Sequence, residues 1–267
     1  MHKTCLMGSP SLFQLPLFVI AIITLFLIII FDWLGRRYRQ RQMKKFPGAE
    51  HGNLGAIEGA LLGLMTLMLA FSYGIAATRY ETGRQLIVDE AKAITVAIHR
   101  CDLYPDSVRN VLFTDFKGYV ESRIVYYQAG VDEDKIKNSL NDGMHHSDKI
   151  RKEVMALSQY PENRERSILM VPALDNMDDL ALSSEAARES RLPQIILWML
   201  LILTVSSGFL VGFGNSGKRK NGIMVIGFAI MTTAAFYLVI ELDHPRQGFI
   251  NLDVEVQNIL NLRSLFK

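Results

Sequence analysis

Ionisable groups set inside apolar sequence are the first candidates for chemistry, and Glu58 stands out. It is the one acidic residue in the stretch 54–78, LGAIEGALLGLMTLMLAFSYGIAAT. A carboxylate near the centre of a bilayer costs at least ~2.5 kcal/mol, and less within a turn of the boundary. Two roles for Glu58 follow: an interfacial acid paired with Arg36 or Arg37, or an ion- or proton-binding group lining a pathway. Arg79, just past the same stretch, is the other pathway candidate, because a symmetric oligomer would gather copies of either residue into a ring of charge. Glu241 and Asp243 end the last apolar run, at the membrane level assigned to Arg79 and Arg84. A charge pair between one of these acids and one of these arginines is expected. Arg36, Arg37, Arg39 and Arg41, followed by Lys44 and Lys45, make a basic connector. It serves as a topology signal, as a contact for anionic lipid head groups, or as both.

Other clusters point away from chemistry. His145 and His146 adjoin Asp142 and Asp148, but neighbouring histidines diverge on a helix and the spacing fits no common ligand pattern. An exposed polar turn is expected there, and no metal. The two cysteines, Cys5 and Cys101, lack CxxC or Cys/His spacing and are too few for a disulfide framework. No GxSxG elbow, Walker loop, HExxH helix or kinase signature occurs, so an enzyme reading has no residues to rest on and no cofactor is implied. The formal net charge of +2 gives no reason to expect nucleic acid, since the basic residues gather beside apolar runs.

The elements that must position these groups are set by four apolar runs of membrane length, 10–34, 54–78, 193–213 and 223–242. They predict an all-α integral membrane protein with four transmembrane helices. An extramembrane antiparallel helical bundle is inserted between the second and third spans. The expected divisions are 1–53, an N-terminal anchor with its basic loop; 54–78, the second span; 79–192, the extramembrane helices; 193–242, the third and fourth spans around a basic loop at 215–220; and 243–267, a C-terminal tail. The first run is longer than a signal-peptide core and leads into arginines without a cleavage site, so it is expected to stay as an anchor.

The chain is organised around one long helix that leaves lipid at Thr78 and runs on, with no proline before Pro105. In its second half Ile87, Ala91, Ile94 and Ile98 recur at helical spacing, leaving Arg84, Asp89, Lys92 and Arg100 toward water. Gly83 is its expected soft point. Val108, Leu112, Phe116, Tyr119 and Arg123 mark one face of the next helix, closed by Gly130. The helix after Asp132 is expected to break at 141–146, and a last one carries Leu169, Ala173, Met177, Leu180, Ser184 and Ala187.

Small residues suggest how the spans pack, because close backbone approach supplies the contact where lipid removes the hydrophobic drive. Gly55, Gly59 and Gly63 repeat every four residues, and Thr204, Gly208 and Gly212 form a weaker stripe on the third span. Packing of the second span on the third is expected, with a subunit contact or a pore-lining face as the other use of the same stripe. The positive-inside rule puts loops 35–53 and 215–220 in the cytoplasm and 79–192 outside it, in a bacterial inner membrane.

Several segments resemble a known family: Ala60-Leu-Leu-Gly-Leu, Leu69-Ala-Phe-Ser72, Ala76-Ala-Thr-Arg-Tyr80, Arg84-Gln-Leu-Ile-Val-Asp-Glu-Ala91, Arg100-Cys-Asp-Leu-Tyr-Pro105, and the closing Glu241-Leu-Asp-His-Pro-Arg-Gln-Gly-Phe-Ile250. Together they resemble the bacterial bestrophin-like domain family over roughly residues 50–250. The resemblance implies a four-span membrane protein distantly akin to bestrophins, which are pentameric anion channels. The pore-neck aromatic pattern and the acidic calcium clasp of bestrophins have no counterpart here, so no channel residue is carried over. Two functions are therefore expected in turn: a homo-oligomeric channel-like or pore-forming protein in the lipid bilayer, or a non-conducting membrane-anchored helical sensor. The first takes an ion, and the second an unidentified protein partner.

Overall fold

The computed structural model describes residues 16–45, 55–214, 222–245, 248, 250 and 252–266, without the side chains of Gly55 and Ile57. Each regular element among them is helical. They are α1 Leu17–Lys45, α2 Gly55–Arg100, α3 Asp106–Gln128, α4 Glu133–Leu157, α5 Pro161–Glu189, α6 Gln194–Gly214, α7 Gly222–Asp243 and α8 Asp253–Asn261, with short 3₁₀ turns at Cys101–Leu103 and Leu262–Phe266. Four helical stretches are long and apolar enough to cross a membrane: Leu17–Lys45, one within Glu58–Leu103, one within Pro161–Gly214, and Gly222–Asp243. The chain divides into two units, residues 1–78 with 192–249, and residues 79–191 with 250–267. The boundary falls inside α2, whose helix is unbroken through Gly83.

In the first unit α1 packs along α6 and α7. Glycine is required at the α1–α6 crossing because backbone meets backbone. A Cβ on Gly212 would overlap the Asp32 carbonyl, one on Gly35 would overlap the Phe209 carbonyl, and one on Gly208 would lie 2.8 Å from the Ile28 carbonyl. The small-residue stripe of the third span thus serves the first span, which corrects the expectation that it meets the second. The reason lies in α1 itself: Gly35 offers the matching hollow, so the two backbones close from both sides. Thr204 is fully buried on the same helix. Asp243 sets the start of α6, its Oδ1 accepting from the Leu192 N–H at 2.8 Å.

The second unit has one apolar core. Ile87, Ala91, Ile94 and Ile98 of α2 are all buried, as their spacing predicts, against Leu112, Phe116 and Ile124 of α3 and Met170, Leu174 and Met177 of α5. α3 ends at Gly130, whose φ of 58° is a left-handed stop that suits glycine. α4 begins at Asp132, whose side chain accepts from the Lys135 N–H at 3.1 Å. The break expected at 141–146 is absent, and α4 runs through it. Gly143 is used for packing instead, since a Cβ there would sit 3.0 Å from Ser122 Oγ on α3. α5 starts at Pro161, earlier than its apolar pattern indicates, and turns Leu169 outward at 50% exposure. The segment expected as a tail contains α8, whose Ile259 is fully buried in this core.

Cys101 lies in the same core, fully buried, its Sγ donating to the Ala97 carbonyl at 3.7 Å. Burial, with Asp102 adding to it, pushes the thiol up to about 12. Only thiolate attacks electrophiles, so at pH 8 a maleimide should modify Cys101 roughly 1000-fold more slowly than an ordinary cysteine. In a Cys5→Ser protein this predicts no labelling over minutes in mild detergent and full labelling in SDS. Rapid labelling of the native protein would show that this core is open.

Candidate functional site

α2 presents two unlike faces where it is membrane-length. Met65, Leu69, Ser72 and Ala76, spaced by three and four residues, are 6%, 9%, 3% and 0% exposed. On the flank beside them Gly59, Gly63, Thr66, Ala70 and Gly74 are all exposed. A Cβ on Gly59, Gly63 or Gly74 would meet nothing within 4 Å among the described residues. Thr66 spends its hydroxyl on the Leu62 carbonyl at 2.9 Å, as an exposed threonine in a helix can do. Large apolar groups, Leu64, Leu67, Phe71 and Ile75, occupy the next sector and are also exposed. A narrow, smooth, weakly polar strip therefore runs down α2, and its glycines have no neighbour among the described residues.

At the start of this strip Glu58 is half-buried, its carboxylate against the end of α6: a Cβ on Gly214 would lie 2.7 Å from Oε2. Gly55 opens α2, and its surroundings lie outside the described residues. Arg36, expected as a partner for Glu58, bridges to Asp32 instead. Asp32 is 1% exposed in the apolar α1, and its Oδ1 is buried with no hydrogen-bond partner among the described residues. Sequence reasoning passed over it because it sits beside Trp33 at a span end, where an acid normally faces water. Its four-residue spacing to Arg36 was the available signal.

The four charge-coupling residues fall out as follows. Arg84 bridges to Glu255 at 2.6 Å and Glu81 at 3.0 Å, and the bond to Glu255 raises its pKa. Glu255 was not singled out because residues 243–267 were read as a tail. Arg79 has a buried Nη1 without a hydrogen-bond partner among the described residues. Glu241 and Asp243 are 2% and 8% exposed, Glu241 lying against Gly248, where a Cβ would come within 2.6 Å of Oε1.

Two further features went unpredicted in the second unit. Glu90 is fully buried and accepts from Arg123 Nε at 2.5 Å, Arg123 Nη2 at 2.9 Å and the Tyr127 hydroxyl at 2.6 Å. Burial opposes the Arg123 charge, but Glu90 holds its pKa well above the ordinary value. The Tyr127 phenol is pushed up by burial and by Glu90. His146 packs its ring on Gly118, with Nδ1 3.6 Å from Asp115, which Lys149 bridges at 2.7 Å. Among the described residues no three His, Cys, Asp or Glu side chains gather as a metal site.

The fold as a whole is shared with solved structures. A bacterial bestrophin homologue from Klebsiella pneumoniae superposes with a TM-score of 0.71 at 15% identity, covering 92% of this chain and 98% of that one. Two single-residue variants of the Klebsiella homologue give TM-scores of 0.72 and 0.73 at 13% and 14% identity, covering 92% and 94% of this chain and 99% and 98% of theirs. No curated protein matches the sequence. The bestrophin-like domain model matches residues 22–256, from the second turn of α1 through α7 to the start of α8. With both the fold and the family pattern spanning nearly its whole length, this chain belongs to the bestrophin-like domain family of membrane proteins.

Proposed function

We propose that this chain is one subunit of a homo-oligomeric, channel-like protein of the bacterial inner membrane, in which the smooth strip of α2 faces a central path. The observation that carries this reading is the strip itself. Gly59, Gly63, Thr66, Ala70 and Gly74 are exposed along a helix long enough to span a bilayer. Small and weakly polar side chains suit a surface that meets water or other copies of itself, whereas lipid is met well enough by Leu64, Leu67 and Phe71 on the next sector. Family membership supports the same reading, through kinship with bestrophins. Glu58 and Arg79 are the charges assigned to the two ends of the path. Loops 35–53 and 215–220 are assigned to the cytoplasm, and residues 79–192 to an extracytoplasmic helical bundle.

The test is the mass of the protein in mild detergent and ion flux through reconstituted liposomes. Light scattering should give three or more times the 30.2 kDa of one chain, and liposomes should pass a monovalent ion. A monomer or dimer in impermeable liposomes would exclude a central path and leave the non-conducting anchored module.

A further inference from the structure

The basic residues at the end of α1 divide into two groups by the face they occupy. Arg36 and Arg39 turn toward α6. Arg36 is neutralised by Asp32, while Arg39 donates to the Phe213 carbonyl at 3.1 Å and lies 5.1 Å above the Phe213 ring. The Arg36 guanidinium is thus committed within α1, and that of Arg39 ties α1 to α6. Arg37, Arg41 and Lys44 lie on the opposite face at four- and three-residue spacing, below Trp33, and all four are exposed. Arg37 is held 4.9 Å above the Trp33 ring, and Trp33 is itself 52% exposed.

This outer face carries a column of like charges with no acid between residues 33 and 45. Like charges at four-residue spacing repel and weaken a helix unless a counter-anion lies between them. Trp33 marks the depth at which α1 leaves hydrocarbon, because indole prefers the interface. One turn beyond it lies the layer of lipid phosphates. Arginine binds phosphate through paired donors in a fixed fork, and Arg37 is already oriented by its cation–π contact.

We infer that the face formed by Trp33, Arg37, Arg41 and Lys44 is a binding site for the phosphate of an anionic bilayer lipid. Arg36 and Arg39 take no part in it. The expectation that Arg36, Arg37, Arg39 and Arg41 all contact head groups thus narrows to the outward pair. The lipid neutralises the column and anchors the end of α1 at the membrane surface, whether or not the protein conducts.

Native mass spectrometry of the full-length protein in neutral detergent tests this, with phosphatidylglycerol, phosphatidylcholine or sodium phosphate added in separate arms. The wild-type protein should retain phosphatidylglycerol in preference to phosphatidylcholine, and sodium phosphate should displace neither. Arg37→Gln/Arg41→Gln should weaken phosphatidylglycerol retention roughly 30-fold, and Arg41→Gln alone, at an exposed position that leaves the fold intact, roughly 5-fold. Arg39→Gln should leave retention within about twofold of wild type, its charge being held against α6. Equal retention of phosphatidylcholine would overturn the proposal, and so would displacement by sodium phosphate or an equal loss in Arg39→Gln. Loss of oligomeric mass in the double variant with lipid retention unchanged would assign the face to a second copy of the chain and likewise overturn it.

Discussion

Glu90→Gln should lower the stability of the second unit by about 3–5 kcal/mol, although it changes one oxygen for one nitrogen. Glu90 and Arg123 are 0% and 2% exposed, so neither charge is screened by solvent. Glu90 receives both guanidinium nitrogens and the Tyr127 hydroxyl, and the guanidinium is packed 4.4 Å over Tyr126 and 5.4 Å over Tyr127. Removing the negative charge leaves Arg123 buried with no counter-charge and no route to water. The pair as a whole is worth much less than the penalty for breaking it, because burying two ions costs nearly what their attraction returns. Glu90→Leu/Arg123→Met should therefore be far milder than either single change and close to wild type. Thermal unfolding of the full-length protein in mild detergent reads both, with a fall of roughly 10 °C for Glu90→Gln. A Glu90→Gln curve that overlays wild type would mean that the pair is solvated, and a double variant worse than the single would mean that the attraction of the pair outweighs the cost of burying it.

This pair also shows what the sequence could and could not convey. Ile87, Ala91, Ile94 and Ile98 follow the helix period, and their burial was predictable because periodicity reports which face of a helix is covered. Glu90 sits on the covered side too, yet its charge argues for water until Arg123 is known to oppose it. Arg123 could be placed on the face of Leu112 and Phe116 from spacing, but not matched to a residue so far away in sequence. The glycines carry the same ambiguity. Spacing marks Gly59, Gly63, Gly208 and Gly212 as places for close approach without naming the partner, and only the fold shows that Gly208 and Gly212 meet α1 while Gly59 and Gly63 meet nothing among the described residues. Length and hydropathy were enough for the four membrane-length helices because the bilayer sets those quantities for each helix alone. Contacts such as Arg84 with Glu255 depend on two distant segments at once and leave no trace in either.

That ambiguity yields a prediction in which one substitution has opposite signs at two glycines. Gly212→Ala should destabilise the first unit by about 3 kcal/mol, at the upper end for overpacking, because its Cβ would occupy the place of the Asp32 carbonyl oxygen. Backbone cannot rotate aside as a side chain can, so α1 and α6 would have to separate along their length. Separation would loosen Gly35 from Phe209 and Arg39 from the Phe213 carbonyl, contacts of the same crossing. Gly63→Ala should instead be neutral or add up to about 1 kcal/mol, since alanine is the better helix former and open space surrounds the new methyl. Melting temperatures of the two variants in the same detergent should therefore move apart, with Gly212→Ala well below wild type and Gly63→Ala at or above it. Because the residue change is identical, helix propensity cancels from the comparison, and the difference measures how closely the α1 and α6 backbones approach. If the two variants melted together, α1 and α6 would not be in backbone contact, and the third span would be free to pack as the spacing of its small residues alone suggests.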